Sequence, residues 1–592
     1  MAYSNKEQVN QLTALLVAHG VRHAVVCPGS RNAPIVHNFN ECPHITCYGV
    51  TDERSAGFYA LGMLQALNEP IAVCVTSGSA LLNLLPAVAE AWYQHMPLIV
   101  VSADRPQQWI DQLDGQTLPQ PGALGRFVRC AVTLPEADAW HCNRLINEAL
   151  LAATQNDDCR PVHINVAISE PLFTFDTAQL PAVRHILRTV PTQNYDCLHQ
   201  ELVDGLAAAR RPMIVFGQTY PPHFDGTGVD YLFSHVIVLH ESLSAFPSVS
   251  HFDEVLYAAA ESSQKGASFS EKRASIFEKR ASFFEKGGTP CSSCVVAPPD
   301  FIVYVGDVIV SKRLRRFLRR AKDAVTWRIS RSGDVEDTFQ NLRGIVVGDP
   351  EQVLQSLNSK LNGRRMAGGA YRRQWLKALQ AASRHAASYE PAYSQMAAVK
   401  LLEAKMSALP AGDSPTLHVH YANSSAVRLA NIYAAHHVWC NRGVNGIEGS
   451  LSTAAGFSCV VADKVVCVIG DLSFFYDQNA LWNRHLRGNL RILLLNNGRG
   501  GIFNLLPGLE QSPARDSLVA AAHDTSAEGI CRQNNIEYIK AESMKQLPHG
   551  LDTLLFTEST RPVVLEVMTD ATQDEQALKD YYHKLTDIQS IG

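Results

Sequence analysis

Gly470-Asp471-Leu472-Ser473 and, about two dozen residues on, the pair Asn496-Asn497 supply a carboxylate and an amide at a spacing that could hold a metal ion. The first follows the apolar run Val465–Ile469 and the second follows Ile492–Leu495, so the stretch reads as strand, acidic turn, helix, strand, amide turn. In a parallel βαβ unit both side chains then stand at neighbouring carboxyl ends, the edge where open α/β sheets take ligands. One carboxylate, one amide oxygen and a backbone carbonyl form a hard, all-oxygen set. Such a set suits Mg²⁺ that keeps water and completes its shell with phosphate oxygens. The competing reading is a helix N-cap aspartate and a turn asparagine.

A second candidate lies more than four hundred residues earlier, in Thr51-Asp52-Glu53-Arg54-Ser55-Ala56-Gly57 at a strand-to-helix junction. Acidic residues at a helix start are favoured by the macrodipole alone. A catalytic reading requires Glu53 to be buried and to hold a proton against a heterocyclic nitrogen.

These residues must be positioned by a large chain. At 592 residues it exceeds one core, and the length points to roughly three or four domains. A content of 46% hydrophobic and 18% charged residues is that of an ordinary globular protein, and the net charge of −5 argues against nucleic acid as the main partner. No apolar run is long enough for a membrane span, and MAYSNKEQVNQL has neither the basic nor the apolar part of a secretory signal. The 14 cysteines lie mostly in apolar strand-like runs (Cys27, Cys74, Cys459, Cys467), which fits reduced, buried thiols and a cytoplasmic location.

Along the chain, residues 1–185 alternate helix and strand patterns. Ser4-x-x-Glu7 reads as a capping box before a helix with Val9, Leu12, Leu15 and Leu16 on one side. Strands are predicted at 24–27, 71–75 and 98–101, with a helix from the Thr76-Ser77-Gly78-Ser79 turn through Ala91. A proline-punctuated stretch over 180–198 reads as a linker. A second α/β unit spans 198–365 with strands at 213–216, 236–239, 301–305 and 344–347, and a Gly/Arg-rich stretch at 363–370 precedes a third at 380–592. Strands spaced by helices predict an α/β fold of three doubly wound parallel-sheet domains. An insertion at about 264–296 interrupts the second unit with three tandem heptapeptides, 267–273, 274–280 and 281–287, followed by Cys291-Ser292-Ser293-Cys294. The repeat reads as a tolerated surface insertion, with a docking helix as the alternative; one CxxC pair assigns no metal or redox role.

The Asp471/Asn497 pattern, the Glu53 motif and the three-unit organisation together resemble the thiamine diphosphate-dependent enzymes of the decarboxylase type. Cys27-Pro28-Gly29-Ser30-Arg31, Thr76-Ser77-Gly78-Ser79, Ala103-Asp104-Arg105-Pro106, Asn423-Ser424 with Arg428, Asn441-Arg442-Gly443 and Leu451-Ser452-Thr453-Ala454-Ala455-Gly456 narrow the resemblance to the menaquinone-pathway members. It covers the chain from the N-terminal helix to the last domain, without the repeat insertion.

The resemblance implies a pyrimidine-binding domain at 1–185, a central domain at 198–365 and a diphosphate-binding domain at 380–592. Glu53 would be the catalytic residue, bonded to the aminopyrimidine ring and favouring the imino tautomer that removes the thiazolium C2 proton. Thiamine diphosphate would lie against Glu53, Thr76, Ser77, Gly78, Gly446, Ile447, Gly470, Asp471, Leu472, Ser473 and Asn497, with Ile447 propping its bent conformation. Asp471, Asn497 and the backbone carbonyl of Arg499 would hold Mg²⁺ (or Mn²⁺).

The implied reaction decarboxylates 2-oxoglutarate and adds the four-carbon carbanion equivalent to isochorismate. Both substrates are dicarboxylates, best met by guanidinium forks. Arg31, Arg105, Arg428, Arg442 and the pair Lys312-Arg313 follow strand ends or motif turns. They are the implied substrate cations, with Ser30, Gln116 and Ser424 as neutral donors and Phe503 and Leu506 as an apolar wall. Glutamate and metal set lie in different domains, so the resemblance implies a homo-oligomer, dimer or dimer of dimers, with active sites between subunits. The chain departs from the family at Gly115, where an Asn is frequent, and at Arg499, where glycine is frequent. A pyruvate decarboxylase or acetolactate synthase-like enzyme would not need the arginines. An inactive scaffold would not need both Glu53 and the Asp471/Asn497 pair, and no convincing G-x-G-x-x-G follows a strand to suggest an NAD enzyme.

Overall fold

The computed structural model describes residues 2–154, 158–189, 195–220, 224–265, 296–408, 417–505 and 508–588. The three heptapeptides, Cys291, Cys294 and Leu506 lie outside the described residues.

A two-residue strand β1 (Tyr3–Ser4) opens the chain. It is followed by β2 (His23–Val26), β3 (Thr46–Gly49), β4 (Ile71–Val75), β5 (Leu98–Asp104), β6 (Cys130–Leu134), β7 (Val162–Ala167) and β8 (Phe175–Thr177). Strands β2 to β7 form one parallel sheet in the order β3-β2-β4-β5-β7-β6, and β1 pairs antiparallel with β8. The central sheet contains β9 (Pro212–Phe216), β10 (Ile237–His240), β11 (Phe301–Val305), β12 (Val325–Ser330) and β13 (Leu342–Val347), all parallel, in the order β10-β9-β11-β12-β13. A third parallel sheet contains β14 (Leu417–Tyr421), β15 (Lys464–Gly470), β16 (Leu490–Asn496), β17 (Glu537–Ala541) and β18 (Val563–Met568), in the order β14-β15-β16-β18-β17. The α/β class with several parallel, doubly wound sheets is as the sequence predicts.

Two compact units emerge. Residues 1–192, 398–430 and 438–571 form the first, with the N-terminal and third sheets; residues 193–397, 431–437 and 572–592 form the second, around the central sheet. Helices cover both faces of the central sheet, which is why its strands are apolar without alternation. Met213 and Val215 of β9 enter one core, while Ile214 and Phe216 enter the other. Each such fully buried side chain stabilises the fold by about 1.5–3 kcal/mol relative to exposure.

Within the first unit, the Glu53–Leu67 helix packs on the Ser450–Val460 helix. The crossing depends on glycine: a Cβ on Gly62 would lie 1.9 Å from the Thr453 carbonyl oxygen, and one on Gly456 would lie 2.2 Å from that of Tyr59. Tyr59, fully buried there, donates its hydroxyl to the Ala480 carbonyl at 2.5 Å.

Two local expectations are corrected. Ser4 does not close a capping box. It lies in β1, its Oγ accepts from the Lys6 amide at 3.2 Å, and the helix starts at Glu7 with Lys6 as an N-cap that makes no side-chain bond. The helix after Thr76–Ser79 is two helices, Ser79–Asn83 and Leu85–Tyr93, because Pro86 cannot donate into a continuing helix and sits in the first turn of the second. Cys27, Cys74 and Cys467 are buried and free, whereas Cys459 is only half-buried. Among the described residues no helix is long and apolar enough to cross a membrane.

Candidate active site

The predicted residues of the first unit collect at the carboxyl edges of its two sheets. In the N-terminal sheet β2, β4 and β5 are neighbours, and their carboxyl ends lead to Ser30-Arg31, Thr76-Ser77-Gly78 and Arg105. In the third sheet the neighbours β14, β15 and β16 lead to Asn423-Ser424, Gly470-Asp471 and Asn496-Asn497.

On the N-terminal edge, Thr76 and Ser77 are buried, Ser77 donates its hydroxyl to the Gln116 carbonyl at 3.0 Å, and the Gly78 amide donates to Gln120 Oε1 at 2.7 Å. The loop carrying Gln116 is therefore pinned to the turn after β4. Asp111, Leu113 and Gln116 hold positive φ in that loop, a conformation that L-residues adopt at a cost and that accumulates at ligand sites. Arg105 reaches Asp114 at 3.5 Å and the Gly115 carbonyl at 3.3 Å, so the residue in place of the family's asparagine is met through its backbone. Arg31 is buried, donates to the Ile168 carbonyl at 2.9 Å and pairs with Glu170 at 3.3 Å. Burial pushes the Asp104 carboxyl above its usual range, while Asn165, the Arg105 amide and the charge of Arg31 pull the other way. Ser30 and Gln116 are exposed.

Glu53 is the first residue of its helix, and Asp52 is the N-cap, accepting from the Arg54 and Ser55 amides at 2.9 and 3.3 Å. Asp52 is thus the helix cap, Glu53 stands in the first turn where the macrodipole favours an acid, and the burial that a catalytic role requires is only partial within this chain. The Glu53 carboxylate is half-buried and accepts from Asn83 Nδ2 at 3.2 Å.

On the edge of the third sheet, Asp471 is buried and collects amide donors: Leu472 on Oδ1 at 2.7 Å, and Asn497 and Gly498 on Oδ2 at 3.1 and 2.9 Å. His523 Nε2 lies 3.6 Å from the same oxygen. Burial pushes this carboxyl above the usual range against the pull of those donors, the situation that a bound cation relieves. Among the described residues no three His, Cys, Asp or Glu side chains cluster as a metal centre. The Arg499 side chain turns to Asp516 at 3.0 Å, and Phe503 packs on Gly500 beside Leu472.

Asn423 organises the neighbouring loop. Its Nδ2 donates to the carbonyls of Asn441 and Gly446, both at 2.7 Å, and its Oδ1 accepts from Arg442 at 2.9 Å. Arg442 is buried, and its Nε has no hydrogen-bond partner among the described residues; the same is true of Arg105 Nε. Ser424 adopts a positive φ of 72°, and Ile447 is 41% exposed. Arg428 is half-buried on the Ser425–Tyr433 helix. Lys312 and Arg313 are not in this unit: they begin the Lys312–Arg320 helix of the second, where Arg313 pairs with Asp253 and lies over the Tyr257 and Tyr582 rings.

Residues the motifs had not assigned also support the site. Gln120, Asn165, His163 and Ser102 form a buried network beneath the β5 turn, in which Ser102 Oγ lies 2.7 Å from His163 and 2.8 Å from Asn165. Burial holds His163 neutral, its pKa lowered to about 4. Asp477 caps the Ser450–Val460 helix through the Ser452 amide and hydroxyl, both at 2.7 Å. Ser102, His163 and Asn165 are signalled only as polar residues within apolar strands, and Gln120, in a proline-flanked loop, carries no signal.

Residues 7–122 match the family model "Thiamine pyrophosphate enzyme, N-terminal TPP binding domain", and residues 422–567 match "Thiamine pyrophosphate enzyme, C-terminal TPP binding domain". The two matches enclose the candidate residues of both sheet edges, and the chain is a thiamine diphosphate-dependent enzyme. A protein of Bacteroides fragilis, a "2-succinyl-5-enolpyruvyl-6-hydroxy-3-cyclohexene-1-carboxylate synthase", is 43% identical, with 98% of this chain and 100% of that protein aligned. Proteins of the same name from Bacteroides thetaiotaomicron and Porphyromonas gingivalis are 42% and 33% identical over 98% of this chain, covering 99% and 97% of their own lengths. The chain belongs to the family of these synthases.

Proposed function

We propose that this enzyme decarboxylates 2-oxoglutarate and adds the resulting four-carbon unit to isochorismate, releasing CO₂ and taking up one proton, in menaquinone biosynthesis. The near-full-length identity to synthases of that product name carries the reading. Thiamine diphosphate, when bound, supplies a carbon nucleophile that no side chain offers. The residues present fit it. Asp471 offers a buried carboxylate oxygen, Gly470 has open space where a Cβ would stand, and Ile447 presents a partly exposed apolar side chain.

In this reading Glu53 holds a proton at the pyrimidine ring nitrogen. Asp471, Asn497 and the Arg499 carbonyl bind Mg²⁺, and Thr76, Ser77, Gly78, Gly446, Gly470, Leu472 and Ser473 border the cofactor. Arg31, Arg105, Arg428 and Arg442, with Ser30, Gln116 and Ser424, orient the substrate carboxylates; Phe503 and Leu506 exclude water. The burial of Arg442 beside the Asn423 loop supports this. Lys312 and Arg313 have the role through the resemblance alone.

The 1–185 and 380–592 regions are proposed as the pyrimidine and diphosphate domains, flanking a central domain at 198–365. A homo-oligomer with sites between subunits is supported by the half-buried Glu53 and by exposed apolar side chains in the same unit: Leu82, Val444, Ile447, Tyr476 and Trp482. The free cysteines support a cytoplasmic location.

Donor choice tests the reading. With isochorismate as acceptor, CO₂ release from 2-oxoglutarate is expected to exceed that from pyruvate by about 10³-fold or more in kcat/KM, because pyruvate lacks the second carboxylate that a site built around guanidinium groups is made to bond. Preference for pyruvate would replace this reading with an acetolactate synthase-like one.

A further inference from the structure

Glu90 lies in the Leu85–Tyr93 helix of the N-terminal region and is 3% exposed, yet its carboxylate is not used within its own domain alone. Oε1 accepts from the Gly443 amide and Oε2 from the Val444 amide, each at 2.7 Å, across 353 and 354 residues of sequence. Gln94, one turn on, also donates to Oε1. The backbone comes this close because residue 443 is glycine: a Cβ there would lie 2.9 Å from the Glu90 carbonyl oxygen and 2.9 Å from Tyr93 Cβ. Gly443 and Val444 sit in the loop between Arg442 and Ile447, whose two ends Asn423 holds through the Asn441 and Gly446 carbonyls. The loop is thus fixed at its ends by an amide and at its middle by a buried carboxylate from another sheet's helix. Arg442 also places its positive charge in the field of Glu90.

A buried carboxylate costs several kcal/mol unless it is well bonded, so its retention needs a reason. We propose that Glu90 is a positioning residue for this reaction: through the Gly443 and Val444 amides it fixes the loop that aims Arg442 at a substrate carboxylate and Ile447 at the cofactor. The inference rests on the roles proposed above for those two residues. Glu90 touches neither substrate nor cofactor.

The test compares Glu90→Gln, Gly443→Ala, Arg442→Lys and the double variant Glu90→Gln/Arg442→Lys. Measured are KM for 2-oxoglutarate and for isochorismate, kcat, the Kd of thiamine diphosphate from tryptophan quenching without substrates, and the thermal midpoint. Arg442→Lys is expected to raise one KM about tenfold. Glu90→Gln and Gly443→Ala are expected to raise that same KM at least about fivefold and the cofactor Kd about threefold or more, with a smaller change in kcat. The double variant is expected to be no worse than about twofold beyond Arg442→Lys, since both changes disable one device. Should Glu90→Gln lower the thermal midpoint while leaving both KM values and the cofactor Kd unchanged, Glu90 is structural and the inference is overturned. Additive effects in the double variant overturn it as well. An Arg442→Lys enzyme with unaltered KM values overturns the assignment of Arg442 itself, and the inference with it. If Glu90→Gln does not fold, Gly443→Ala leaves the glutamate intact and decides the same comparison.

Discussion

Glu53→Gln is expected to lower CO₂ release from 2-oxoglutarate by about 10²–10⁴-fold, the range that a positioned acid–base group contributes. Glutamine keeps the shape of the side chain and can still meet Asn83, but its amide cannot hold and return a proton at a ring nitrogen. Binding should survive, with the thiamine diphosphate Kd within about threefold of wild type, because the lost interaction belongs to the transition state rather than to the bound ground state. Asp52 remains as the helix cap, so the fold should not register the change. A quenching titration beside the CO₂ assay separates the two effects. An active Glu53→Gln enzyme would remove this residue from catalysis.

Asp471→Asn is expected to act on binding instead. The change removes the only carboxylate of the metal set and turns an NH₂ toward either the Leu472 amide or the Asn497 and Gly498 amides, donors that now meet an oxygen. Partners that only support a metal ligand are worth about 10–100-fold in affinity, so loss of a direct ligand should cost about 100-fold or more in thiamine diphosphate–Mg²⁺ affinity. Chelation of the metal should reproduce the defect in the wild-type enzyme. Two inactive chains also report on the oligomer. Where a dimer builds each site from the Glu53 edge of one subunit and the Asp471 edge of its partner, co-expressed Glu53→Gln and Asp471→Asn chains place both lesions in one site of the mixed dimer and leave the other intact. Random pairing then restores about a quarter of wild-type activity. Sites formed within single chains would restore none.

Much of this arrangement is legible in the sequence where burial is uniform. Ile71–Val75 and Phe301–Val305 read as strands with their observed bounds because both faces of their sheets are covered. Edge strands resist the same reading: Thr46–Gly49 and Glu537–Ala541 are half exposed and carry no continuous apolar run. Val162–Ala167 and Val563–Met568 are concealed for another reason. They bury His163, Asn165 and Glu566, whose partners, among them Ser102, Gln120 and Asn496, come from distant segments. The same limit applies at the candidate site. Asp471 and Asn497 can be placed side by side from sequence because one βαβ unit carries both, but Glu90 looks like any helical glutamate until the backbone of Gly443 is set against it.

The carboligation is read out by giving the purified protein 2-oxoglutarate, isochorismate, thiamine diphosphate and Mg²⁺, and following CO₂ together with the product by mass spectrometry. One CO₂ is expected for each molecule of a succinylated cyclohexene carboxylate that keeps its enolpyruvyl group, with no turnover when cofactor or metal is withheld. CO₂ release that is indifferent to isochorismate, with free succinic semialdehyde as the only product, would contradict the proposed carboligation.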